Sequence, residues 1–355
     1  MPVSTPGSHS SSSQPPTFRV IARAAGVSQM TVSRALGNRE RVAESTRKRI
    51  LNLAAKLGYR PDPEISKLMH YLRRGKRSQF QSVLCGLTDW PEGAKPPYFQ
   101  ELLEGVMDQA RQRGYGFQLL QLTPSLTGPR LQRQLKGQGV QGILLLPLQF
   151  PRDLSSYLDW NQFAVVSASM SVLGPEASRA VPHHFINTLR LCRELQKLGY
   201  QRIGLVMTHL HDSRSNHAFS AAVMSESVRT TGRFVPPLIY QNTLGADFKR
   251  WFSQHRPDAI IARDRYAVDE CSRQLRLKIP GRVGFAVISV HPSPTGVSPH
   301  GSTLAGIDEV PRQVGSAAVD LLAGLVERRV RGIPASPTST LVSGRWQPGK
   351  SSPGR

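Results

Sequence analysis

Cysteines and long apolar runs are scarce in this 355-residue chain, which has three cysteines and no stretch near the roughly 18 apolar residues of a membrane-spanning helix. Cys85, Cys192 and Cys271 stand singly in apolar segments far apart in the sequence. Buried free thiols are therefore favoured over a disulfide or a metal site. The start of the chain also lacks the pattern of a signal peptide, so we expect a cytoplasmic protein with no membrane partner.

Several sequence motifs of catalytic sites are missing as well. The chain contains no Gly-x-Ser-x-Gly turn, no cysteine pairs at zinc spacing and no His-Glu-x-x-His. Its acidic residues are scattered along the sequence and do not form a recognisable site. We therefore expect no enzymatic activity, no cofactor and no bound metal.

Acidic residues are outnumbered, because 24 Asp and Glu stand against 46 Lys and Arg, which gives a net charge of +22. The excess is densest between residues 17 and 77, where fifteen basic and four acidic residues give +11. A protein that neutralises DNA phosphates needs such a local density, and its binding should weaken steeply with salt. A solvated basic surface is the alternative interpretation.

Two short helical patterns with a glycine between them lie within residues 17–36. Apolar residues in the first recur at helical spacing, with Thr17 as its predicted N-cap, and Gly26 ends it. Ser28 can cap the second helix, and residues 45–57 form a third apolar-periodic segment. The pattern predicts a helix-turn-helix, which places its second helix in the DNA major groove, although a generic three-helix bundle would show the same spacing.

Five short motifs follow one another along this region: Ala25-Gly26-Val27-Ser28, Thr31-Val32-Ser33-Arg34, Val42, Ser45-Thr46-Arg47 and Leu57-Gly58-Tyr59-Arg60-Pro61. Together they resemble, without gaps, the DNA-binding headpiece of the lactose/galactose repressor (LacI/GalR) family. One departure is Val20, since the family usually has an acidic residue there; its loss removes about 0.3–1 kcal/mol of helix-dipole stabilisation. The resemblance implies a sequence-specific regulator of transcription, expected to be a repressor, that acts at the nucleoid.

The resemblance assigns the base contacts to the second helix. Arg34 can pair with guanine O6 and N7, Gln29 can pair with adenine, and Met30 can contact a thymine methyl. Four residues are expected mostly to hold phosphates and fix the register: Ser28, Thr31, Ser33 and Asn38. Thr17 is a further expected DNA-binding residue.

After Pro61 the family has a short hinge helix that forms on operator binding. By the resemblance, Leu68 is the residue that wedges into the minor groove, with Met69 as the alternative. A plain linker is the other interpretation of this segment. One recognition helix covers only a half-site, so we expect a homodimer on a pseudo-palindromic double-stranded operator.

Strand and helix patterns alternate from residue 80 onward, and the same alternation begins again after residue 181. Such alternation predicts parallel sheets covered on both faces, in two doubly wound halves. This plan resembles the periplasmic-binding-protein-like core that the family carries behind its all-α headpiece. Ligands in such sheets bind beyond the carboxyl ends of the strands, which here means between the two halves.

We predict five segments: a disordered tail at 1–16, the helix-turn-helix headpiece at 17–61, a hinge and linker at 62–79, a two-lobed effector-binding and dimerisation core at 80–347, and a tail at 348–355. Lobe one is expected to take about 80–180 and 306–330, and lobe two about 181–305 and 331–347.

Polar residues in loops after the predicted strands are the candidate effector contacts: Asp89, Arg214, Asn242, Arg263, Asp264, Ser289 and Asp308. By the resemblance, Arg214 matches an arginine that clasps sugar hydroxyls in sugar-responsive members. Ser289 stands where those members carry an acid, and His183-His184 replace an Asp-Asn. We therefore expect a small-molecule effector, a sugar or a related metabolite, rather than a simple monosaccharide.

Two other classes of function fit parts of the sequence. A solute-binding protein without a regulatory role would explain the two lobes, but the headpiece pattern and the missing export signal disfavour it. A nonspecific DNA-binding protein would explain the basic charge, but it would not need two ligand-binding lobes.

Overall fold

The computed structural model describes residues 18–36, 42–57, 59, 82–126, 128–229, 234–278, 281–290 and 303–354. The chain divides into two units, Met1–Ser78 and Gln79–Arg355, each with its own internal contacts. The predicted tail at 1–16 and the whole of the predicted hinge and linker at 62–79 lie outside the described residues.

The first unit contains three helices: α1 (Phe18–Ala25), α2 (Gln29–Leu36) and α3 (Glu44–Lys56). Gly26 follows α1 with a φ of +62°, a left-handed conformation that glycine adopts without strain. The hydroxyl of Ser28 accepts a hydrogen bond from the backbone N–H of Thr31 at 3.1 Å and so caps α2. The predicted turn and cap are therefore confirmed.

Apolar side chains from all three helices meet in one small core. The buried ones are Ile21, Ala22, Ala25, Val32, Ala35, Ile50 and Ala54. Within α1 and α3 they recur at spacings of three and four residues, which places them on one face of each helix. Leu57, which the apolar spacing placed on the same face, instead follows the end of α3 and is 38 % exposed.

The second unit is an α/β structure whose first half forms one lobe. Its elements are β1 (Val83–Thr88), α4 (Pro97–Gln112), β2 (Gly116–Gln121), α5 (Gly128–Gly137), β3 (Val140–Leu145), β4 (Arg152–Asp153), β5 (Ala164–Ser167), β6 (Val172–Gly174) and β7 (Ser178–Pro182). A single-turn 3-10 helix at Trp160–Gln162 precedes β5.

The second lobe repeats the alternation. Its elements are α6 (His184–Lys197), β8 (Ile203–Thr208), α7 (His209–Arg214), α8 (Ala218–Arg229), β9 (Leu238–Tyr240), α9 (Ala246–His255), β10 (Ala259–Ala262), α10 (Arg265–Leu275), β11 (Gly284–Val287) and β12 (Ala305–Asp308). The chain then continues through α11 (Pro311–Arg328), β13 (Ser339–Val342) and β14 (Arg345–Gln347).

Two six-stranded sheets organise these lobes, with strand orders β13-β7-β5-β3-β1-β2 and β14-β12-β11-β10-β8-β9. The first sheet is parallel throughout, and in the second only β14 pairs antiparallel, with β12. Along β3, Ile143 and Leu145 enter one apolar cluster whereas Leu144 enters another on the opposite face. Burial on both faces explains why central strands such as β3 are largely apolar.

The strand pairing departs from the predicted lobe boundaries at two places. Residues 306–308, predicted in lobe one, belong to β12 and pair with β11 in the second sheet. Residues 339–342, predicted in lobe two, form β13 and pair with β7 at the edge of the first sheet. The chain therefore crosses between lobes three times, because each sheet is completed by a strand from late in the sequence.

The segment predicted as a tail from residue 348 onward is packed against the second lobe. The hydroxyl of Ser351 accepts a hydrogen bond from the backbone N–H of Ala305 at 2.8 Å and donates one to the carbonyl of Phe285 at 2.6 Å. The carbonyl of Pro353 accepts a hydrogen bond from the hydroxyl of Tyr200 at 2.9 Å. The two bonds of Ser351 satisfy backbone groups of β11 and β12, which explains why this polar segment packs against the lobe.

The three cysteines are free and buried, as predicted. Burial raises the pKa of the thiols of Cys85, Cys192 and Cys271 to about 12. Thiols with such values are poor nucleophiles at neutral pH. Among the described helices, none combines the length and apolar character needed to cross a membrane.

Helices α4 and α11 pack closely in the first lobe, because a glycine lies at the contact on each side. A Cβ built on Gly315 would stand 2.3 Å from the carbonyl oxygen of Leu102, and one on Gly105 would stand 2.1 Å from the carbonyl oxygen of Arg312. At neither glycine is there room for a methyl group between the two helix backbones. Gly324, also in α11, has no atom within 4 Å of the same position.

We expect Gly315→Ala to destabilise the core by about 1–3 kcal/mol, because the added methyl group must separate two packed backbones. The matched variant Gly324→Ala should instead stabilise it by roughly 0.5–1 kcal/mol, since alanine restricts the unfolded chain without a clash. Chemical unfolding followed by tryptophan fluorescence measures both changes. Equal effects of the two substitutions would contradict the close helix contact.

Candidate DNA-binding helix and core cavity

The start of α2 carries the residues predicted to contact DNA bases. Gln29 and Met30 are exposed in its first turn, Met30 by 56 %. Thr31 is half-buried, and its hydroxyl oxygen lies 2.9 Å from that of Ser28. Both hydroxyls are thus held at the beginning of the helix, beside two long side chains that are free to reach a ligand.

Other predicted DNA contacts are only partly covered by the structure. Ser33 and Arg34 belong to α2. Thr17, Asn38 and Leu68 lie outside the described residues.

Basic residues predominate in the described part of the first unit. Seven Lys and Arg occur there against one acidic residue, Glu44. Arg23, Lys48 and Arg49 are exposed. A surface with this excess attracts phosphate groups at long range, and the attraction falls with ionic strength.

A cavity of about 410 Å³ lies between the two lobes of the second unit. Its walls include residues from the loops after β1, β3 and β5 in the first lobe and after β8, β10 and β11 in the second. These loops follow the carboxyl ends of central parallel strands, where ligands bind in doubly wound sheets. The volume suits a small metabolite.

The cavity combines aromatic walls with a few polar groups. Trp90 and Tyr98 come from the first lobe and Phe219 from the second. Ser169 and Ser171 add hydroxyls that lie 2.7 Å from each other. Such a mixture is typical of sites that bury the body of a ligand and orient it through a small number of polar contacts.

Arg214 is the last residue of α7, the short helix that begins directly after β8. Thr208 caps α7 by accepting a hydrogen bond from the backbone N–H of His211 at 3.4 Å. The buried carboxylate of Asp212 accepts hydrogen bonds from the backbone N–H and the hydroxyl of Ser220, at 3.1 and 2.8 Å. This tether to α8 holds α7 in place and so positions Arg214 at the cavity.

Positive charge in the cavity is concentrated on two guanidinium groups. Arg263 follows β10 and lies 3.4 Å from the carboxylate of Asp264. Burial and repulsion from Arg263 lower the pKa of Arg214 to about 10, although Glu309 opposes the shift. Burial, and then the charges of Arg263 and Arg214, lower the pKa of His211 to about 2, so its imidazole is neutral at physiological pH.

A buried acid faces these groups from the crossing between β12 and α11. Oε1 of Glu309 lies 3.1 Å from Nδ1 of His184, at the start of α6. Burial, and then the charge of Glu309, raise the pKa of Tyr98 well above its ordinary value, while Arg214 opposes the shift. Tyr98 of the first lobe therefore interacts electrostatically with Arg214 of the second lobe and with Glu309 at the crossing between the lobes.

The cavity brings together four of the seven predicted effector residues: Arg214, Arg263, Asp264 and Ser289. Asn242 is exposed after β9, the edge strand of its sheet, and is not part of the lining. A loop after an edge strand lies too far from the middle of the sheet to reach the cavity.

Two predicted acids are used within the protein instead. The carboxylate of Asp89 accepts a hydrogen bond from the backbone N–H of Gln149 at 2.8 Å and so joins two loops of the first lobe. The carboxylate of Asp308 accepts one from the backbone N–H of Val310 at 2.8 Å, where the chain turns into α11. Neither residue belongs to the lining of the cavity.

Three of the cavity residues that sequence reasoning missed are Tyr98, His211 and Glu309. His211 precedes Arg214 by three residues, so helical spacing could have placed it on the same face. Glu309 is the neighbour of the predicted Asp308, and successive side chains of an extended chain point to opposite sides. Tyr98 lies at the start of α4, far from any predicted strand end, and no pattern marked it.

Residues 344–351 match the letters of the phosphate-loop motif Gly-x-x-x-x-Gly-Lys-Ser, which sequence reasoning also missed. The motif requires a strand, a loop and then a helix. Here the segment contains β14, an antiparallel edge strand, and Ser351 is buried and bonded to backbone groups. No helix follows among the described residues, so this match does not form a phosphate loop.

Comparison with known families gives one match to the first unit. A family profile described as "Bacterial regulatory proteins, lacI family" covers residues 17–62. The HTH-type transcriptional repressor PurR of Actinobacillus pleuropneumoniae serotype 5b (strain L20) is 24 % identical over 205 residues, 57 % of each chain. The repressor CytR of Escherichia coli (strain K12) is 27 % identical over 197 residues, 54 % of this chain and 53 % of CytR. The chain thus spans a little over half the length of these curated relatives.

Solved structures of similar fold match between 78 % and 96 % of the chain. The lac repressor dimer bound to operator and the anti-inducer ONPF has a TM-score of 0.56 at 17 % identity, over 96 % of this chain and all of that one. The cellobiose complex of the regulator CelR has a TM-score of 0.54 at 17 % identity, over 95 % and 99 %. The ribose operon repressor of Lactobacillus acidophilus has a TM-score of 0.55 at 15 % identity, over 78 % and 99 %. At these identities the likeness shows a shared fold.

Proposed function

Residues 17–62 match the profile of the lacI family of bacterial regulatory proteins, and from that match we propose that this chain is a sequence-specific DNA-binding repressor of transcription. The observation that carries the proposal is the capped helix α2, which exposes Gln29 and Met30 at its start. The similar lac repressor structure contains operator DNA, which supports the same use of this helix here. As a regulator, the protein works at nucleoid DNA in the cytoplasm and catalyses no reaction.

We assign recognition of the DNA base sequence to three side chains of α2. Arg34 pairs with a guanine, Gln29 with an adenine, and Met30 contacts a thymine methyl. The hydroxyls at positions 28, 31 and 33, with Thr17 and Asn38, hold phosphates and fix the register.

The DNA-bound form is a homodimer, because each recognition helix reads only one half-site. Twofold symmetry of the protein then requires a pseudo-palindromic operator. In this proposal the segment 62–79 connects each headpiece to its core, and Leu68 wedges into the minor groove at the centre of the operator.

Regulation is assigned to the cavity between the lobes, which binds a small molecule such as a sugar or a related metabolite. Because Tyr98 faces charges of the opposite lobe, a ligand placed among them changes the relative stability of lobe closure. The three chain crossings transmit closure, and operator affinity changes by a coupling free energy of typically about 1–3 kcal/mol. The cellobiose bound to CelR supports a ligand in this fold.

Selection of bound duplexes from a random pool tests the proposal. We expect an enriched pseudo-palindrome, bound about 10³-fold or more tighter than a scrambled duplex of the same length. The logarithm of the affinity should fall linearly with the logarithm of salt concentration, because bound phosphates release counterions. Fluorescence anisotropy at three or more salt concentrations measures both quantities.

The same experiment separates the two competing functions. Equal affinity for all duplexes would indicate a nonspecific DNA-binding protein. No affinity for any duplex, together with ligand binding in the core, would indicate a solute-binding protein. Either result would overturn the proposed regulator.

A further inference from the structure

We propose that the small molecule bound in the core cavity carries an anionic group, a carboxylate or a phosphate, which binds between Arg214 and Arg263. The inference rests on the proposed function only in treating this cavity as the effector site. It narrows the chemical class of the ligand from any small metabolite to one that carries an acidic group.

The first step concerns Arg214, which lines the cavity. Among the described residues, its guanidinium makes no hydrogen bond and no ion pair. Withdrawing a charge from water costs free energy unless an opposite charge or hydrogen-bond acceptors replace the water. A cation held in this state is therefore suited to an anion supplied from outside.

The second step concerns the acids that could neutralise Arg214 within the protein. Asp264 accepts a hydrogen bond from the backbone N–H of Ala267 at 3.1 Å and faces Arg263. Glu309 lies against His184, and its attraction for Arg214 is weaker than the repulsion from Arg263. Neither nearby carboxylate therefore forms an ion pair with Arg214, and Arg263 adds positive potential there.

The third step concerns His211, which lies beside the two arginines. Its Nδ1 is 2.5 Å from the hydroxyl of Thr208. With that hydroxyl donating to Nδ1, the proton of the neutral ring resides on Nε2, which becomes a further donor among the lining residues. Two guanidinium groups and one N–H donor match the acceptor-rich oxygens of a carboxylate or a phosphate.

The test uses the full chain, and the four tryptophans at 90, 160, 251 and 346 report thermal unfolding of the core. Inorganic phosphate and acetate are added separately at tens of millimolar, against sodium chloride of equal ionic strength. We expect at least one of the two anions to raise the Tm of the wild type by about 2 °C or more above the chloride control. The anion that acts distinguishes a phosphate site from a carboxylate site.

Substitution Arg214→Met identifies the site. We expect this variant to lose the anion-induced shift and, without added anion, to unfold at a higher temperature than the wild type, because an uncompensated cation has been removed. Substitution Arg250→Met is the control, since that arginine is 74 % exposed and pairs with Asp247 on α9. This control should keep the full anion shift.

Two outcomes would overturn the inference. In the first, neither anion raises the Tm of the wild type above its value in chloride. In the second, Arg214→Met lowers the Tm of the anion-free protein, which would make Arg214 a structural residue. Operator binding measured on the same samples keeps the inference separate from the proposed function. Selective operator binding without any anion effect rejects the acidic ligand alone, whereas absence of duplex preference rejects the regulator.

Discussion

An Ile21→Ala variant is expected to lose operator binding while its core stays folded. Ile21 is fully buried among the seven apolar side chains that hold α1, α2 and α3 together. Truncating a fully buried isoleucine to alanine costs about 2–5 kcal/mol. A three-helix unit of this size has little stability to spare, so the loss should unfold most of the headpiece.

Two spectroscopic signals separate the units in this experiment. All four tryptophans lie in Gln79–Arg355, so their fluorescence follows the core alone, whereas helical circular dichroism also reports the headpiece. The adjacent variant Val20→Ala is the matched control, because Val20 is 47 % exposed and should be replaced at little cost. Retained operator affinity in Ile21→Ala would mean that DNA binding does not depend on this core.

The second large effect is expected for Arg34→Ala. A bidentate arginine–guanine contact discriminates against the wrong base by about 1–3 kcal/mol. Operator affinity should therefore fall roughly 10- to 100-fold for each half-site, and variant operators substituted at the contacted base pair should no longer be distinguished. Affinity for a scrambled duplex should change little by comparison.

Lys48→Ala provides the comparison for Arg34→Ala, because it removes an exposed cation from α3 without touching α2. Loss of a phosphate contact weakens binding to all duplexes by a similar factor and reduces the salt slope by about one. Anisotropy titrations on the operator, on its single-base variants and on a scrambled duplex measure the pattern. If Arg34→Ala also weakened every duplex equally, its role would be phosphate binding and not base reading.

The headpiece is the part of the fold that local rules predict best. The left-handed glycine at position 26, the serine cap at 28 and the three- and four-residue apolar spacing each act within a few residues. Their outcome therefore needs no knowledge of distant parts of the chain. Leu57 marks the limit of such reasoning, because the helix ends one residue before it.

The core cavity was predictable only in outline. Alternating strands and helices place the loops of each sheet at one edge, and this rule located Arg214, Arg263, Asp264 and Ser289. Of Asp308 and Glu309, only Glu309 lines the cavity, because the side chain of Asp308 accepts a hydrogen bond from the backbone N–H of Val310. Local propensity does not contain that information.

The amino-acid sequence by itself determined the helix-turn-helix, its cap and its charge, because these depend on spacing and composition over a few turns of helix. It also determined that the central strands of both sheets are buried on both faces. Only the tertiary structure decided which late strand completes which sheet and which side chains share the cavity. Those outcomes come from contacts between residues more than a hundred positions apart, such as β13 with β7 and Tyr98 with Glu309. Geometry between the lobes, and not local preference, decides which side chains line the cavity.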